Sequence, residues 1–362
     1  MHGYRDVPDA YINRIETAVP PNDVQDTMLR FARSQLRDDP RRQAIFSRMA
    51  ERSGIEHRFS CLRPVDDPDS EALDEGGLFR RGAFPGTGTR MGLFEAHAPA
   101  LALEAIGKLD LGADLKSVTH LIVASCTGFS APGIDLEIVA RCGLLPSVER
   151  TMIGFMGCYA AINALKLARH IVRSEPDAKV LCVNIELCTL HLKETTDLER
   201  LLTFCLWGDG CAASLVTAEP GGLRLDRFKA LLAADARDLM TWSVRDDGFD
   251  MVLSGRVPKA IDGVLRHEAG AVLNGRRPDE IDLWAVHPGG RSVLDAVSDA
   301  LDLPADALEA SRAVLRENGN MSSATVMFVL ERMLREPKGL IGSAMAFGPG
   351  LTAETMLFET AG

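Results

Sequence analysis

The strongest constraint on this chain is an alternation of short apolar runs with longer Ala- and Leu-rich stretches, beginning near residue 97 and continuing almost to the end. Uncharged apolar runs of roughly four to eight residues read as strands buried on both faces, and apolar residues recurring three and four apart read as helices packed on them. The pattern predicts helices over 97–109, 134–142, 158–172, 261–273, 291–301 and 321–335. It predicts strands over 120–125, 150–155, 179–186, 210–217, 281–286 and 338–347. Strand and helix in alternation define an α/β protein. The plan is written twice, so two related halves are expected, 1–219 and 220–362, divided at the Glu-Pro-Gly-Gly run 219–222.

Residues 1–82 break the pattern. They are rich in charge and proline, with a helical stretch over 23–54 and a loose segment over 63–88, and are expected to wrap the surface. The formal net charge of -11, from 51 acidic and 40 basic residues, argues against a nucleic-acid surface or a polybasic membrane anchor, so an anionic ligand needs a local group of cations. The longest weakly polar stretch, 151–168, carries Asn163 and Lys166 and is too polar for a stable membrane insertion. None of the eight cysteines forms a C-x-x-C pair, and the N-terminal residues are polar, so a reducing cytoplasmic location without a structural metal is expected.

Three motifs carry candidate chemistry. Gly-Phe-Met-Gly-Cys-Tyr-Ala-Ala over 154–161 places Cys158 in the expected first turn of a helix, where backbone N–H groups favour a thiolate. Trp-Ala-Val-His-Pro-Gly-Gly-Arg over 284–291 presents His287 at a strand end, with Gly289 and Gly290 allowing a ligand close to the backbone. Glu-Asn-Gly-Asn-Met-Ser-Ser-Ala over 317–324 offers the Asn320 amide. Each has an ordinary structural use taken alone: an inert buried thiol, a core imidazole, a helix cap. Together they supply a soft nucleophile, a base or proton donor and a neutral donor for an oxyanion.

These three motifs, with Phe-Gly-Pro-Gly-Leu-Thr over 347–352, resemble the signature of the type III polyketide synthases, the chalcone synthase superfamily, in order and over nearly the whole chain. The resemblance implies a thiolase fold of five αβαβα layers, a homodimer, acyl-CoA and malonyl-CoA as substrates, and no cofactor or metal. Cys158 then resembles the nucleophile that holds the starter as a thioester, ion-paired with His287. His287 and Asn320 resemble the pair that stabilises the enolate left by malonyl decarboxylation.

Further positions are carried by the same resemblance. Trp207, before the Gly-Asp-Gly turn 208–210, and Met251 stand where the family has two aromatic gatekeepers, so Met251 is a departure from the pattern. Cys126 and Thr127 fall on the cyclisation cavity, as do His191, Gly289, Gly290, Ser322, Phe347, Gly348 and Pro349. Ala131 resembles the loop residue that reaches the neighbouring subunit, and its size, with Met251, suits an aliphatic starter. Arg48, Arg52 and Arg58 resemble the CoA phosphate contacts. The Gly-Thr-Gly-Thr-Arg-Met-Gly run 86–92 has the wrong spacing for a dinucleotide loop. The expected product is an alkylpyrone or alkylresorcinol. A malonyl-primed tetrahydroxynaphthalene- or phloroglucinol-type synthase, and an initiating ketoacyl-ACP synthase with the same triad, are the alternatives.

Overall fold

The computed structural model describes residues 7–67 and 70–362. Nine strands form one hydrogen-bonded array in the order Leu283–Val286, Ile341–Gly348, Thr352–Thr360, Leu223–Leu232, Ala10–Ala18, Asp209–Thr217, Val180–Leu187, His120–Ser125 and Glu149–Gly154. His120–Ser125 runs parallel to both neighbours, and Leu283–Val286 runs parallel to Ile341–Gly348. The two halves of the sheet meet at Ala10–Ala18, which pairs antiparallel with Asp209–Thr217 along its length and with Leu223–Leu232 at its start.

Burial sorts the helices into layers. Helices Ala160–Ser174 and Ala324–Met333 share one apolar cluster with strands of both halves and form the middle layer. Helices Thr87–Lys108 and Ile134–Cys142 cover the outer face of the N-terminal half. Helices Val257–Val272 and Arg291–Leu301 do the same for the C-terminal half. The result is the five-layer αβαβα thiolase arrangement.

Most predicted elements are present with ends moved by a few residues, and the 23–54 stretch is two helices, Gln25–Gln35 and Pro40–Ser53, because Pro40 opens the second. One expectation is corrected. Residues 1–82 do not merely wrap the surface, since Ala10–Ala18 lies in the middle of the sheet. A register shift between Ile12 and Arg14 keeps Ala10, Ile12 and Ile15 in one apolar cluster while Ala18 is buried in the cluster on the other face, which breaks the period-two pattern by which a strand is read.

Candidate active site

The nucleophile and the histidine come from two strand-to-helix connections and the asparagine from the loop between helices Glu309–Asn318 and Ala324–Met333. Cys158 follows Gly157, whose φ of +80° and closeness to Pro349, where a Cβ would lie 2.2 Å from the proline Cδ, admit no side chain. The helix begins only at Ala160, so Cys158 stands two residues before it rather than in its first turn. Gly348 passes so close that a Cβ there would lie 3.3 Å from the Cys158 nitrogen and 2.7 Å from the Tyr159 ring. Strand Ile341–Gly348 therefore presses both Gly348 and Pro349 against the nucleophile loop.

His287 ends strand Leu283–Val286 and its N–H donates to Met345 O at 2.7 Å. Its ring is buried and neither ring nitrogen has a protein partner. Gly289 doubles back beside that ring, its Cβ position 3.7 Å from Nε2. The Asn320 Nδ2 donates to Gly289 O at 3.2 Å, while its Oδ1 accepts from Ser322 N at 2.9 Å. Ser322 in turn hydrogen-bonds the Cys158 thiol. Ser322 thus contacts both Cys158 and Asn320, and Asn320 is tied to the Gly289 carbonyl beside the His287 ring. Phe155, Ser322 and Leu351 all have positive φ, which for such residues marks backbone held by its surroundings at a site.

Burial works against charge on both groups of the expected ion pair. It pushes the Cys158 thiol up to about 12, opposed by the Ser322 hydrogen bond, with the nearby Glu186 adding to the rise. Burial alone pulls His287 down to about 3. Desolvation thus opposes the favourable field near the helix start.

Glu186 was not anticipated. It is the one charged residue of the buried strand Val180–Leu187, which is the signal that could have found it. Its Oε2 accepts from Cys126 N and Thr127 Oγ1, both at 2.9 Å, and its Oε1 from Ser323 Oγ at 2.6 Å. Burial raises it to about 7 against these hydrogen bonds. Glu186 thus ties the Cys126 turn to the Asn320 loop. The Cys126 Sγ accepts from Gly157 N at 2.9 Å, so the second thiol supports the turn before the nucleophile, and burial drives it well above its ordinary range.

The wall beyond Cys126 is aromatic. His191 stacks on Phe249 with centroids 4.1 Å apart, and Trp242 meets His191, Phe249 and Trp207 edge-on. Trp242 Nε1 donates to Cys126 O at 2.9 Å. Phe155 and Phe129 extend the group. Because Phe249 N donates to His191 Nδ1 at 3.1 Å, the proton sits on Nε2, which donates to Thr127 O at 2.7 Å. Trp242, Phe249, Phe155 and Phe129 had no sequence signal, since they lie on a hairpin and loops that only folding brings together. Met251 pairs with Trp242 across the hairpin of Met240–Arg245 and Gly248–Leu253. Trp207 is held beside Asn320 by paired backbone contacts.

One carried-over assignment is corrected by position: Arg58 is fully buried under the Asn320 loop and cannot meet a phosphate from solvent. Phe347 is buried in an apolar cluster with Met345 and Leu351. Thr127 hydrogen-bonds Glu186, Leu187 N and His191. Arg52, by contrast, lines an open cleft of about 670 Å³ with Gly289, Gly290 and Arg291; Arg48 is exposed on the same helix outside that lining. Ala131 is exposed, on the loop after Phe129.

A thiolase fold with cysteine, histidine and asparagine at one centre defines a condensing enzyme. Residues 7–220 match the N-terminal domain of chalcone and stilbene synthases, and residues 232–361 match the C-terminal domain. The alpha-pyrone synthesis polyketide synthase-like Pks18 of Mycobacterium tuberculosis is 33% identical, with 97% of this chain and 91% of that protein covered. The bisdemethoxycurcumin synthase of Oryza sativa subsp. japonica is 32% identical, with 87% of this chain and 82% of that protein covered. Among solved structures, PKS-I from the brown alga Ectocarpus siliculosus superposes with a TM-score of 0.86 at 28% identity, covering 98% of this chain and 99% of that one. The type III domain of Steely1 from Dictyostelium shares the fold, with a TM-score of 0.89 at 22% identity over 98% of this chain and 100% of that one. The chain belongs to the chalcone and stilbene synthase family. It is a type III polyketide synthase, an acyltransferase of the decarboxylating condensation type.

Proposed function

We propose that this enzyme loads an aliphatic acyl-CoA starter on Cys158, extends it with malonyl-CoA and releases an alkylpyrone or alkylresorcinol. The observation that supports the catalytic groups is Ser322, which contacts both Cys158 and Asn320, with Asn320 in turn bonded to the Gly289 carbonyl next to His287. As the starter thioester arrives, His287 takes the thiol proton and the Cys158 sulfur attacks the acyl carbon, expelling CoA thiolate, which recovers that proton. Malonyl-CoA then loses carbon dioxide. The electron pair of the broken C–C bond becomes an enolate, whose oxygen is met by the Asn320 Nδ2–H and by the protonated face of His287. The enolate carbon attacks the Cys158 thioester and releases the sulfur. The group needs no metal or cofactor for these steps.

Arg52 and Arg291 line the cleft, which supports them as contacts for the CoA phosphates, with the exposed Arg48 on the same helix as Arg52. A homodimer is supported by the exposed edge strand Glu149–Gly154 and by the exposed Phe129, Leu136, Met152 and Met156 near Ala131. Among the described residues no helix is long and apolar enough to cross a membrane, which agrees with a cytoplasmic enzyme. The Pks18 relative and the small Ala131 support the aliphatic starter and the pyrone. The aromatic wall around Cys126 favours a second reading, malonyl priming toward a naphthalene-type product.

A panel of acyl-CoAs with malonyl-CoA, read by product mass, separates the two. Chain-length-dependent alkylpyrones are expected. Products from malonyl-CoA alone, with every acyl-CoA ignored, would overturn the aliphatic reading. In Cys158→Ala both product and acyl-enzyme should vanish, and an acyl group found on Cys126 would refute the nucleophile assignment.

A further inference from the structure

Arg58 is a cation with no exposed surface, and among the described residues no carboxylate is within ion-pair distance of it. A charge in such a place costs several kcal/mol unless polar groups hold it, so the groups that hold it are informative. Its Nη1 donates to Phe204 O at 2.9 Å and to Trp207 O at 3.2 Å, and its Nε donates to Gln25 Oε1. Nη2 has no partner. Phe204 ends the helix Leu198–Phe204, so the guanidinium sits at the negative end of that helix and grips the turn after it.

That turn is built into the Asn320 loop. Asn320 N donates to Leu206 O at 2.7 Å, and Gly208 N donates to Asn320 O at 3.0 Å, so the backbone on both sides of Trp207 is paired to Asn320 itself. The stem of Arg58 lies directly under the preceding residue: a Cβ on Gly319, at φ +69°, would come within 2.8 Å of Arg58 Cγ and 2.7 Å of Leu206 O. Gly319 is therefore glycine for two reasons, and Arg58 is one of them. The side chain touches three segments distant in sequence, and two of them meet at the amide assigned to the enolate.

We propose that Arg58 is a positioning residue for the decarboxylation step, clamping the 204–207 turn and the Gly319 backbone so that the Asn320 Nδ2–H is fixed where the enolate oxygen forms. The proposal rests on the reading of Asn320 as an enolate donor. In this step the malonyl C–C bond breaks, carbon dioxide leaves, and without an acylated Cys158 the enolate takes a proton to give acetyl-CoA. Because Arg58 acts through Asn320, it serves the step in which negative charge develops on oxygen and leaves starter loading on Cys158 alone.

The test uses the whole enzyme and malonyl-CoA alone, with acetyl-CoA as the readout, beside intact-mass measurement of acyl loading. Arg58→Met keeps the stem and removes the fork. It should lower kcat for decarboxylation about tenfold or more with KM within about threefold, and leave loading of Cys158 near the wild-type rate. Arg58→Lys, which reaches a single carbonyl, should recover part of the loss. In an Asn320→Ala background, Arg58→Met should have little further effect, because the group it positions is gone. Should Arg58→Met fail to fold, Gln25→Met, which frees one arm of the fork, should show the same kcat-selective loss at smaller size. An equal loss in loading and decarboxylation, or an additive loss in the double variant, would overturn the proposal. If Asn320→Ala itself decarboxylates normally, the reading of Asn320 fails; if only the Arg58 and Gln25 variants are normal, the clamp alone fails.

Discussion

His191 is the clearest case of a buried neutral imidazole whose cost can be worked out and measured. Its Nε2–H donates to Thr127 O, its Nδ1 accepts from Phe249 N, and its ring stacks on Phe249. Protonation would put a second N–H against the Phe249 N–H, in a site where burial already pulls the imidazole from 6.5 to about 3. The folded state therefore binds fewer protons than the unfolded state between those values. Stability is full above 6.5 and falls as the pH drops toward 3. Integrated from about pH 7.5 to about pH 4.5, this one group removes about 3 kcal/mol. His191→Gln should be less stable at about pH 7.5 by about 1–3 kcal/mol, since a backbone partner is left unpaired. Its further loss on acidification should be smaller than that of the wild type by about 3 kcal/mol. Urea unfolding followed by tryptophan fluorescence suits the test, with Trp242 and Trp207 in contact with or near the ring. His287 titrates in the same direction in both proteins and cancels in the difference. Parallel pH dependences for the two proteins would refute the reasoning.

Other substitutions address the site directly. Asn320→Ala should lose on the order of 10²–10³ in malonyl-CoA decarboxylation while Cys158 still loads a starter, and an unchanged rate would leave Asn320 a backbone support only. Gly157→Ala places a Cβ 2.2 Å from Pro349 Cδ at a φ of +80°, so acyl loading by intact mass should fall sharply; normal loading would mean that the Pro349 contact does not set the nucleophile turn. Ala131→Met should shift the accepted starters toward shorter chains, each excluded methylene being worth up to about 0.8 kcal/mol. An unchanged chain-length profile would remove Ala131 from the cavity.

The sequence alone was enough for the α/β layering, because buried strands and amphipathic helices have distinct periods. The residues proposed as reactive, Cys158, His287 and Asn320, each sit in a short local motif, and Gly157 and Gly319 beside two of them are required by positive φ. What the tertiary structure decided was everything set by neighbours distant in the chain. The bulge in Ala10–Ala18 hid a central strand among charged residues. The fate of Arg58 depended on carbonyls about 150 residues away, so a basic segment that reads as a phosphate contact divides into an exposed Arg52 at the cleft and a buried clamp. The burial that opposes charge on Cys158 and His287 was likewise visible only in the fold, whereas the helix start that favours a thiolate is visible in the sequence.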